Sequence, residues 1–235
     1  MKTTSNMNHL PEPLLAVREQ LSRAYLAGDG IEIGALYEPL WTSPAARVRY
    51  VDRMDVTGLR EAYPELKDIE FCHVDIVDDG EHLNTFPNSS LNFIIANHVL
   101  EHCENPIGAV RAHLSKLKPG GVLYYAVPDK RNSFDRDRPI TSFEHVVADD
   151  TLGVEHSRWG HYVEYVTLVG KRPPDEVEWR ARRALERSAN IHFHVWDEVA
   201  FRDFLTRTGD YLGSPPRLEH FQMNDTEMIA ILRKV

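Results

Sequence analysis

The sequence is poor in cysteine and has no apolar run of membrane-spanning length. Its two cysteines, Cys72 and Cys103, show no metal-ligand spacing, so we expect two small buried hydrophobic side chains in a reducing compartment. The polar N-terminal residues Met1–Pro13 lack the apolar segment of a signal peptide. No uninterrupted apolar run approaches the roughly 20 residues that cross a bilayer. These absences predict a cytoplasmic protein with no membrane partner.

A block of positive charge is also absent. The chain of 235 residues has a net charge of −9, and acids are interleaved with the arginines of its most basic stretch, residues 171–187. This alternation is typical of a solvated helix face rather than of a phosphate-binding track, so we expect no nucleic-acid partner. Hydrophobic content of 42% and charged content of 27% are ordinary for a globular protein, and the length suffices for one domain with an insertion.

What the chain does contain is a regular alternation of short apolar runs and amphipathic segments. The apolar runs predict five strands, at Gly30–Gly34, Arg47–Asp52, Ile69–Asp75, Leu91–Ala96 and Val122–Val127. Helices are predicted at Pro11–Ala27, Thr57–Tyr63, Asn105–Leu117 and Trp196–Thr208, and a C-terminal hairpin at Arg217–Met223 and Glu227–Arg233. This order predicts an α/β fold with a doubly wound, mostly parallel sheet and an antiparallel C-terminal hairpin.

The regular pattern stops after the fifth predicted strand. Residues 129–194 are rich in arginine, histidine, aspartate, proline and aromatic residues, with helical patches near Phe143–Ala148 and Asp175–Ser188. In open parallel sheets ligands bind beyond the carboxyl ends of the strands, and the insertion leaves the fifth strand at that end. We therefore predict that residues 129–194 form a cap over the substrate within a single domain.

The first predicted strand ends in a turn that suits close approach of a ligand. The run Gly30–Tyr37 breaks on Gly34-Ala35, where a glycine lets backbone amides come near a bound molecule. Taken alone, the pattern fits an ordinary core strand and turn equally well. Its meaning depends on the elements that follow it.

The order of these elements, with the sequence of Asn92–Pro128, resembles the class I S-adenosylmethionine-dependent methyltransferases. The most specific part joins the run Phe93–His102 to the turn Leu117–Leu123. The resemblance covers residues 28–128 and the closing hairpin, and the chain is similar to small-molecule enzymes of bacterial polysaccharide and secondary-metabolite pathways. It implies a Rossmann-like domain with an N-terminal helix (1–28), a cofactor-binding core (29–128), a substrate cap (129–194) and a C-terminal helix and hairpin (195–235).

The same resemblance implies S-adenosylmethionine as cofactor and S-adenosylhomocysteine as product. It assigns cofactor contacts to Glu32, Gly34 and Ala35 near the amino-acid portion, Asp52 and Arg53 near the ribose, Asp75 and Ile76 at the adenine edge, and Asn97 and His98 beside the methyl group. The adenine neighbour stays open, because Asp78, Asp79 and Glu81 follow closely. Leu36 and Glu38 replace two further glycines of the family loop, so we expect a wider or differently turned loop.

The implied reaction is methyl transfer to a hydroxyl, or as second choice an amine, of a small polar molecule such as a saccharide or secondary metabolite. A repurposed protein of this fold that only binds a ligand or partner is the alternative. The expected partner is the small-molecule substrate, and the sequence leaves both a monomer and a homodimer open.

Histidines are the candidate catalytic residues. His98 follows the fourth strand and serves either as a general base or as part of the pocket floor, and His145 in the cap is the expected proton acceptor. Candidate substrate contacts in the cap are Asp129, Arg131, Arg158 and His161, although a surface loop laced with ion pairs explains several of them equally well. Glu101-His102 is interpreted as a structural turn or cap.

The cap histidines also raise the question of a metal. His192 and His194 are expected to share one face of an extended segment. The chain nevertheless lacks a compact His/Glu/Cys signature of zinc or iron sites. We therefore predict core or substrate-contact histidines and no metal.

Overall fold

A seven-stranded sheet organises the structure, a computed structural model that describes residues 12–235. Its strands are β1 (Gly28–Ile33), β2 (Ala46–Asp52), β3 (Ile76–Val77), β4 (Leu91–Asn97), β5 (Leu117–Pro128), β6 (Arg217–Asn224) and β7 (Glu227–Arg233). They lie in the order β3-β2-β1-β4-β5-β7-β6. The first five are parallel, and β7 runs antiparallel to both β5 and β6. The predicted doubly wound sheet with its C-terminal hairpin is confirmed.

Seven α-helices accompany the sheet in the described part of the chain: α1 (Glu12–Tyr25), α2 (Val56–Ala62), α3 (Pro106–Lys116), α4 (Phe143–Leu152), α5 (Glu155–Glu164), α6 (Pro174–Glu186) and α7 (Glu198–Tyr211). Four begin at side-chain caps, where Asp55, Asn105, Ser142 and Asp197 each accept a hydrogen bond from the N–H three residues on. Pro11, the first residue of the predicted N-terminal helix, lies outside the described residues. Within residues 12–235 no helix is both long and apolar enough to span a bilayer.

The hydrophobic core lies on both faces of the central strands. Ile94 of β4 packs into a cluster with residues of α3 and α7, whereas its neighbour Phe93 packs into a second cluster with Leu21 of α1. Both side chains are fully buried, since successive residues of a strand point to opposite faces. A strand covered on both sides requires the nearly continuous apolar sequence seen at 91–96.

Residues 129–194 contain α4, α5 and α6 and a π-helical turn, Tyr165–Val169. This segment has a small hydrophobic cluster of its own, which includes Tyr162, Ala181 and Phe193. The two predicted helical patches correspond to α4 and α6, whereas α5 was not predicted. Its His, Arg, Ser and Gly residues mask the helical period, and its two buried residues are His161 and Tyr162.

The predicted third strand, Ile69–Asp75, is wrong. Only Ile76 and Val77 pair with β2. At the end of the segment the Asp75 carboxylate accepts a hydrogen bond from the backbone N–H of Tyr50 at 2.8 Å, so this donor is not available to a strand ladder. The fifth strand also differs, because β5 begins at Leu117 and includes the predicted turn Lys118–Gly121.

Candidate functional site

A cavity of about 680 Å³ opens at the carboxyl ends of the parallel strands. Ile33 at the end of β1, Asp52 at the end of β2 and Asn97 at the end of β4 line its floor. Strand ends at this edge of a parallel sheet converge, which is why ligands of such folds bind there. The volume falls within the range of small-molecule sites.

The loop after β1 is tightly turned by two residues in the left-handed region. Gly34 has φ of 67° and Leu36 has φ of 48°. Leucine adopts this conformation at a cost, so the loop keeps a glycine-like turn at a position without glycine. Two backbone hydrogen bonds hold it, from Glu38 N–H to the Ala35 carbonyl at 2.8 Å and from Cys72 N–H to the Leu36 carbonyl at 2.7 Å. Of the two expected alternatives, a wider or a differently turned loop, the structure has the second, with a close turn at Leu36.

The Glu32 side chain holds this loop in place through hydrogen bonds. Both of its carboxylate oxygens accept the N–H of Leu40, at 2.9 and 3.0 Å, and the Asn97 amide lies 3.4 Å from Oε1. The side chain is buried, and desolvation raises its pKa to about 7 despite these hydrogen bonds and the charge of Arg18. Glu32 thus joins the ends of β1 and β4 to the loop that borders the cavity.

Asp52 and its neighbours line the side of the cavity next to β2. One Asp52 oxygen accepts the N–H of Arg53 at 2.7 Å, and desolvation raises the pKa of this carboxyl. Asp79 and Glu81 also line the cavity, whereas Asp75 and Ile76 do not. The loop at 79–81 therefore borders the cavity, whereas Asp75-Ile76 does not. Asp75 is turned towards β2 by its bond to Tyr50.

His98 lies between two carboxylates at the centre of the cavity. Its Nε2 is 2.9 Å from Oε2 of Glu227, and its Nδ1 is 3.6 Å from Oε1 of Glu101. Glu227 is also held by Arg18, whose Nε and Nη2 donate to its two oxygens at 2.9 and 2.5 Å. Desolvation opposes the charge on the imidazole, but the hydrogen bond to Glu227 and the two carboxylate charges outweigh it and raise the pKa of His98.

Two further histidines line the cavity beside His98. His102 Nδ1 lies 2.9 Å from the Ile191 carbonyl, and His192 Nδ1 lies 2.6 Å from the Asp135 carboxylate. Because both partners are acceptors, each Nδ1 carries a proton. Desolvation lowers the pKa of His102, reinforced by the charge of His192 and opposed by Glu101. Glu101 itself is buried, and its carboxylate oxygens have no hydrogen-bond partner among the described residues.

Several predicted site residues lie outside the lining of this cavity. Arg131 pairs with Asp129 at 2.6 Å, and Arg158 pairs with Glu104 at 2.5 Å. His145 and His161 contact each other in the cap rather than approaching His98. His192 and His194 also separate, because His192 faces the cavity while His194 packs against the rings of His145 and His161. The structure therefore brings together the predicted residues at the ends of β1, β2 and β4, but neither Asp75-Ile76 nor the predicted residues of 129–194.

Sequence reasoning did not single out Arg18, which comes from the N-terminal helix and lines the cavity, or Glu227, which comes from the last strand and holds His98. It interpreted His102 as part of a structural turn, although His102 also lines the cavity. The available signals were weak: an acid opening the apolar run at 227–233, and an arginine on the inward side of an amphipathic helix. Neither type of residue shows its partner in the sequence.

The lining suits the cofactor that the sequence resemblance implies. Asp52 offers carboxylate oxygens to a ribose diol, and Gly34 leaves the loop backbone accessible. An added Cβ on Gly34 would meet Val99 at 3.4 Å, and one on Gly80 would lie 2.5 Å from Ile33 Cγ2. Gly80 thus lets its loop approach the β1 end closely, whereas the positive φ of Gly34 is what favours glycine there. Asp52, Gly34 and the loop at 79–81 are the residues that would hold S-adenosylmethionine.

Comparison with known proteins gives matches in family and fold. A family model described as a methyltransferase domain matches residues 9–209. A SAM-dependent methyltransferase from Aquifex aeolicus is 11% identical, with 95% of this chain and 90% of that chain covered and a TM-score of 0.51. The complex between the Haloferax volcanii Trm112 methyltransferase activator and a putative methyltransferase gives 10% identity, coverage of 94% and 89%, and a TM-score of 0.51.

A putative Zn-dependent alcohol dehydrogenase from Rhodobacter sphaeroides gives 13% identity, coverage of 97% and 92%, and a TM-score of 0.52. At these identities the structural likeness shows the fold alone. No curated protein matches the sequence.

Proposed function

The chain belongs to the methyltransferase-domain family, and from this premise we propose that it methylates a hydroxyl group of a small polar molecule such as a saccharide or secondary metabolite. It is an S-adenosylmethionine-dependent methyltransferase. The observation that supports the hydroxyl acceptor is one cavity with a carboxylate, Asp52, on one side and three imidazoles, His98, His102 and His192, on the other.

The imidazole side of the cavity has the composition of a site for a polar acceptor. His98, His102, His192 and Asn190 supply hydrogen-bonding groups, and Phe134 and Tyr165 supply aromatic surface. Several polar groups around aromatic walls suit a molecule with more than one hydroxyl, since each hydroxyl needs a partner once it leaves water. An amine acceptor is the second choice.

S-adenosylmethionine supplies the electrophilic methyl group, so the task left to the protein is alignment of the acceptor and removal of its proton. We assign the proton to Nε2 of His102. Its Nδ1–H donates to the Ile191 carbonyl, which leaves Nε2 as the nitrogen with a lone pair in the neutral ring. The lowered pKa of His102 keeps the ring neutral at pH 7, with Glu101, His98 and His192 as its charged or titratable neighbours.

His98 has a different role in this proposal. Its raised pKa, its hydrogen bond to Glu227 and the nearby charge of Glu101 favour a protonated ring that shapes the methyl site. His145, the proton acceptor expected from the sequence, does not line the cavity. We therefore move proton transfer from His145 to His102.

The test is methyl transfer from radiolabelled S-adenosylmethionine to acceptor panels of nucleotide sugars, free sugars, hydroxylated aromatics and amines. We expect label in hydroxyl acceptors, and label in amines alone would contradict the proposal.

Once a substrate is known, His102→Gln should lower kcat at least 100-fold, leave S-adenosylhomocysteine affinity within threefold, and remove the acidic limb of the pH–rate profile. His220→Gln, on β6 away from the cavity, is the matched control. A His102→Gln enzyme with most of its rate would leave alignment as the mechanism.

We also propose that residues 129–194 cover the acceptor, because Phe134, Tyr165 and His192 come from this segment and line the cavity. Added S-adenosylhomocysteine and substrate should then slow proteolysis within 129–194 more than elsewhere. Equal cleavage with and without ligands would contradict a covering role.

For location and partners, we propose the cytoplasm and neither nucleic acid nor membrane. Two free thiols and the interleaved charges of 171–187 support this assignment. The sequence leaves a monomer and a homodimer open, and light scattering would distinguish them.

A further inference from the structure

A second polar cluster lies in the cap and does not line the methyltransferase cavity. It consists of His145 and Asp149 from α4, His161 from α5, and His194 from the segment before α7. Asp149, His161 and His194 are buried and His145 is partly exposed. His145 and Asp149 are four residues apart, so they project from the same side of α4. Three imidazoles and one carboxylate thus converge from three separate parts of the chain.

The spacing of their polar atoms is that of ligands around one ion. Nε2 of His145 lies 3.0 Å from Nε2 of His161 and 3.3 Å from Oδ2 of Asp149. One ligand atom from each of the four residues lies within 4.8 Å of those of the others. Four ligands about 2.1 Å from a tetrahedral zinc ion would be separated by roughly 3.4 Å.

Two buried atoms of the cluster lack partners. Oδ1 of Asp149 accepts the hydroxyl of Ser157 at 2.5 Å, but Oδ2 of the same carboxylate and Nδ1 of His194 have no hydrogen-bond partner among the described residues. Asp149 is 1% exposed and His194 is 0% exposed. Burial of a carboxylate oxygen and a ring nitrogen without a hydrogen-bond partner is unfavourable. A further group that accepts their lone pairs would therefore stabilise the arrangement.

Hydrogen bonds among the four side chains alone would leave these lone pairs without a partner. The two facing Nε2 atoms of His145 and His161 require one shared proton, and a proton used there cannot also reach Asp149. His161 and His194 are buried, and a neutral imidazole ring offers the lone pair of one nitrogen to a metal ion. Neutral imidazoles and an ionised carboxylate are the forms that bind metals.

The outer contacts match those of a metal site as well. Ser157 holds the oxygen of Asp149 that faces away from the cluster, and the Glu104 carbonyl lies 3.2 Å from Nε2 of His194. A histidine ligand commonly donates its other N–H to a backbone carbonyl, which fixes the ring orientation. In that arrangement Nδ1 of His194, the unpartnered nitrogen, is the ligand atom.

We propose that His145, Asp149, His161 and His194 bind one divalent transition-metal ion, with zinc as the best match to three nitrogens and one oxygen. Four protein ligands complete a tetrahedral shell, which is the pattern of a structural rather than a catalytic zinc site. The ion would join α4 and α5 to the segment that carries His192 into the cavity. This proposal departs from the sequence expectation of no metal, because its ligands are distant in the chain.

The test uses the full chain, stripped of metal with a chelator and then titrated with zinc chloride. We expect one zinc ion per chain by elemental analysis, a melting temperature several degrees higher, and with cobalt chloride the intense visible absorption of a tetrahedral site. Asp149→Asn and His161→Gln should each weaken zinc binding at least 100-fold. His156→Gln is the control, because His156 lies beside Asp149, at 3.8 Å, but outside the cluster.

Two outcomes would overturn the proposal. The first is no zinc binding by the wild-type chain at micromolar concentrations. The second is zinc binding that is lost in His192→Gln and kept in His161→Gln, which would place the ion at Glu101, His102 and His192 in the cavity. Asp149→Asn separates binding from folding, because without metal it removes an unpartnered charge and should melt no lower than the metal-free wild type.

Discussion

Nε2 of His98 lies 2.9 Å from Oε2 of Glu227, although 129 residues separate them in the chain. This contact ties the turn after β4 to the start of β7. Arg18 completes the group from α1, and both Arg18 and Glu227 are buried. His98 has φ of 54°, an unfavourable backbone conformation that the surrounding contacts must keep in place. One wall of the cavity therefore depends on three distant parts of the chain.

Replacement of Glu227 should destabilise the fold strongly. In Glu227→Gln the Arg18 guanidinium stays buried without its carboxylate, which typically costs about 3–5 kcal/mol. Urea denaturation measures the free energy of unfolding. Glu19→Gln is the control, because the Glu19–Arg23 pair is exposed and should contribute under about 1 kcal/mol. A Glu227→Gln protein as stable as the control would show that the buried pair contributes little.

Glu227 should also make stability depend on acid pH. Desolvation opposes its ionisation, but the hydrogen bonds to Arg18 and His98 and their charges lower its pKa to about 2 from an ordinary 4.5. The folded state therefore binds the proton less tightly than the unfolded state, so this stabilisation is present above pH 4.5 and lost as pH falls towards 2. The amount is on the order of 3 kcal/mol. Unfolding free energies of wild type and Glu227→Gln should converge over that interval.

Asp52 should contribute directly to cofactor affinity. Asp52→Ala removes the carboxylate proposed to accept two ribose hydrogen bonds, each worth about 1.5–3 kcal/mol as charge-assisted contacts. S-adenosylhomocysteine should bind at least tenfold more weakly by calorimetry, with little change in melting temperature. Asp29→Ala is the control, because Asp29 pairs with Arg47 near the opposite end of β1. Equal affinities for the two variants would rule out the assignment.

Any side chain at Gly34 should destabilise the turn after β1. Gly34→Ala places a Cβ at φ of 67° and 3.4 Å from Val99, so it should cost about 1–2 kcal/mol of stability and weaken cofactor binding. Gly160→Ala is the opposite case, since Gly160 lies in α5 with open space around its Cβ position, and it should add about 0.5–1 kcal/mol. Thermal melts of both variants measure the difference. Equal effects would mean that the turn is not constrained.

The sheet could be predicted because its information is local. Leu91–Asn97 is apolar throughout because β4 is covered on both faces, and Gly34 and Asp52 stand where strands end. The strand prediction for 69–75 was wrong although it used the same kind of local information. The apolar residues of this segment resemble a strand, but the Asp75 side chain occupies a backbone donor that pairing needs. Hydrophobic periodicity reveals an apolar segment, but it does not reveal that a side chain occupies a backbone donor.

The amino-acid sequence by itself determined the order of elements, the strand-end positions of Gly34, Asp52, Asn97 and His98, and the resemblance to methyltransferases. Tertiary structure alone decided which titratable groups meet. Glu227 reaches His98 across the sheet, His192 enters the cavity from the cap, and His194 joins His145 instead of pairing with His192. Charges and imidazoles carry no periodic signal of their own, and their partners are set by how the helices and strands pack, so these contacts become visible only in the folded chain.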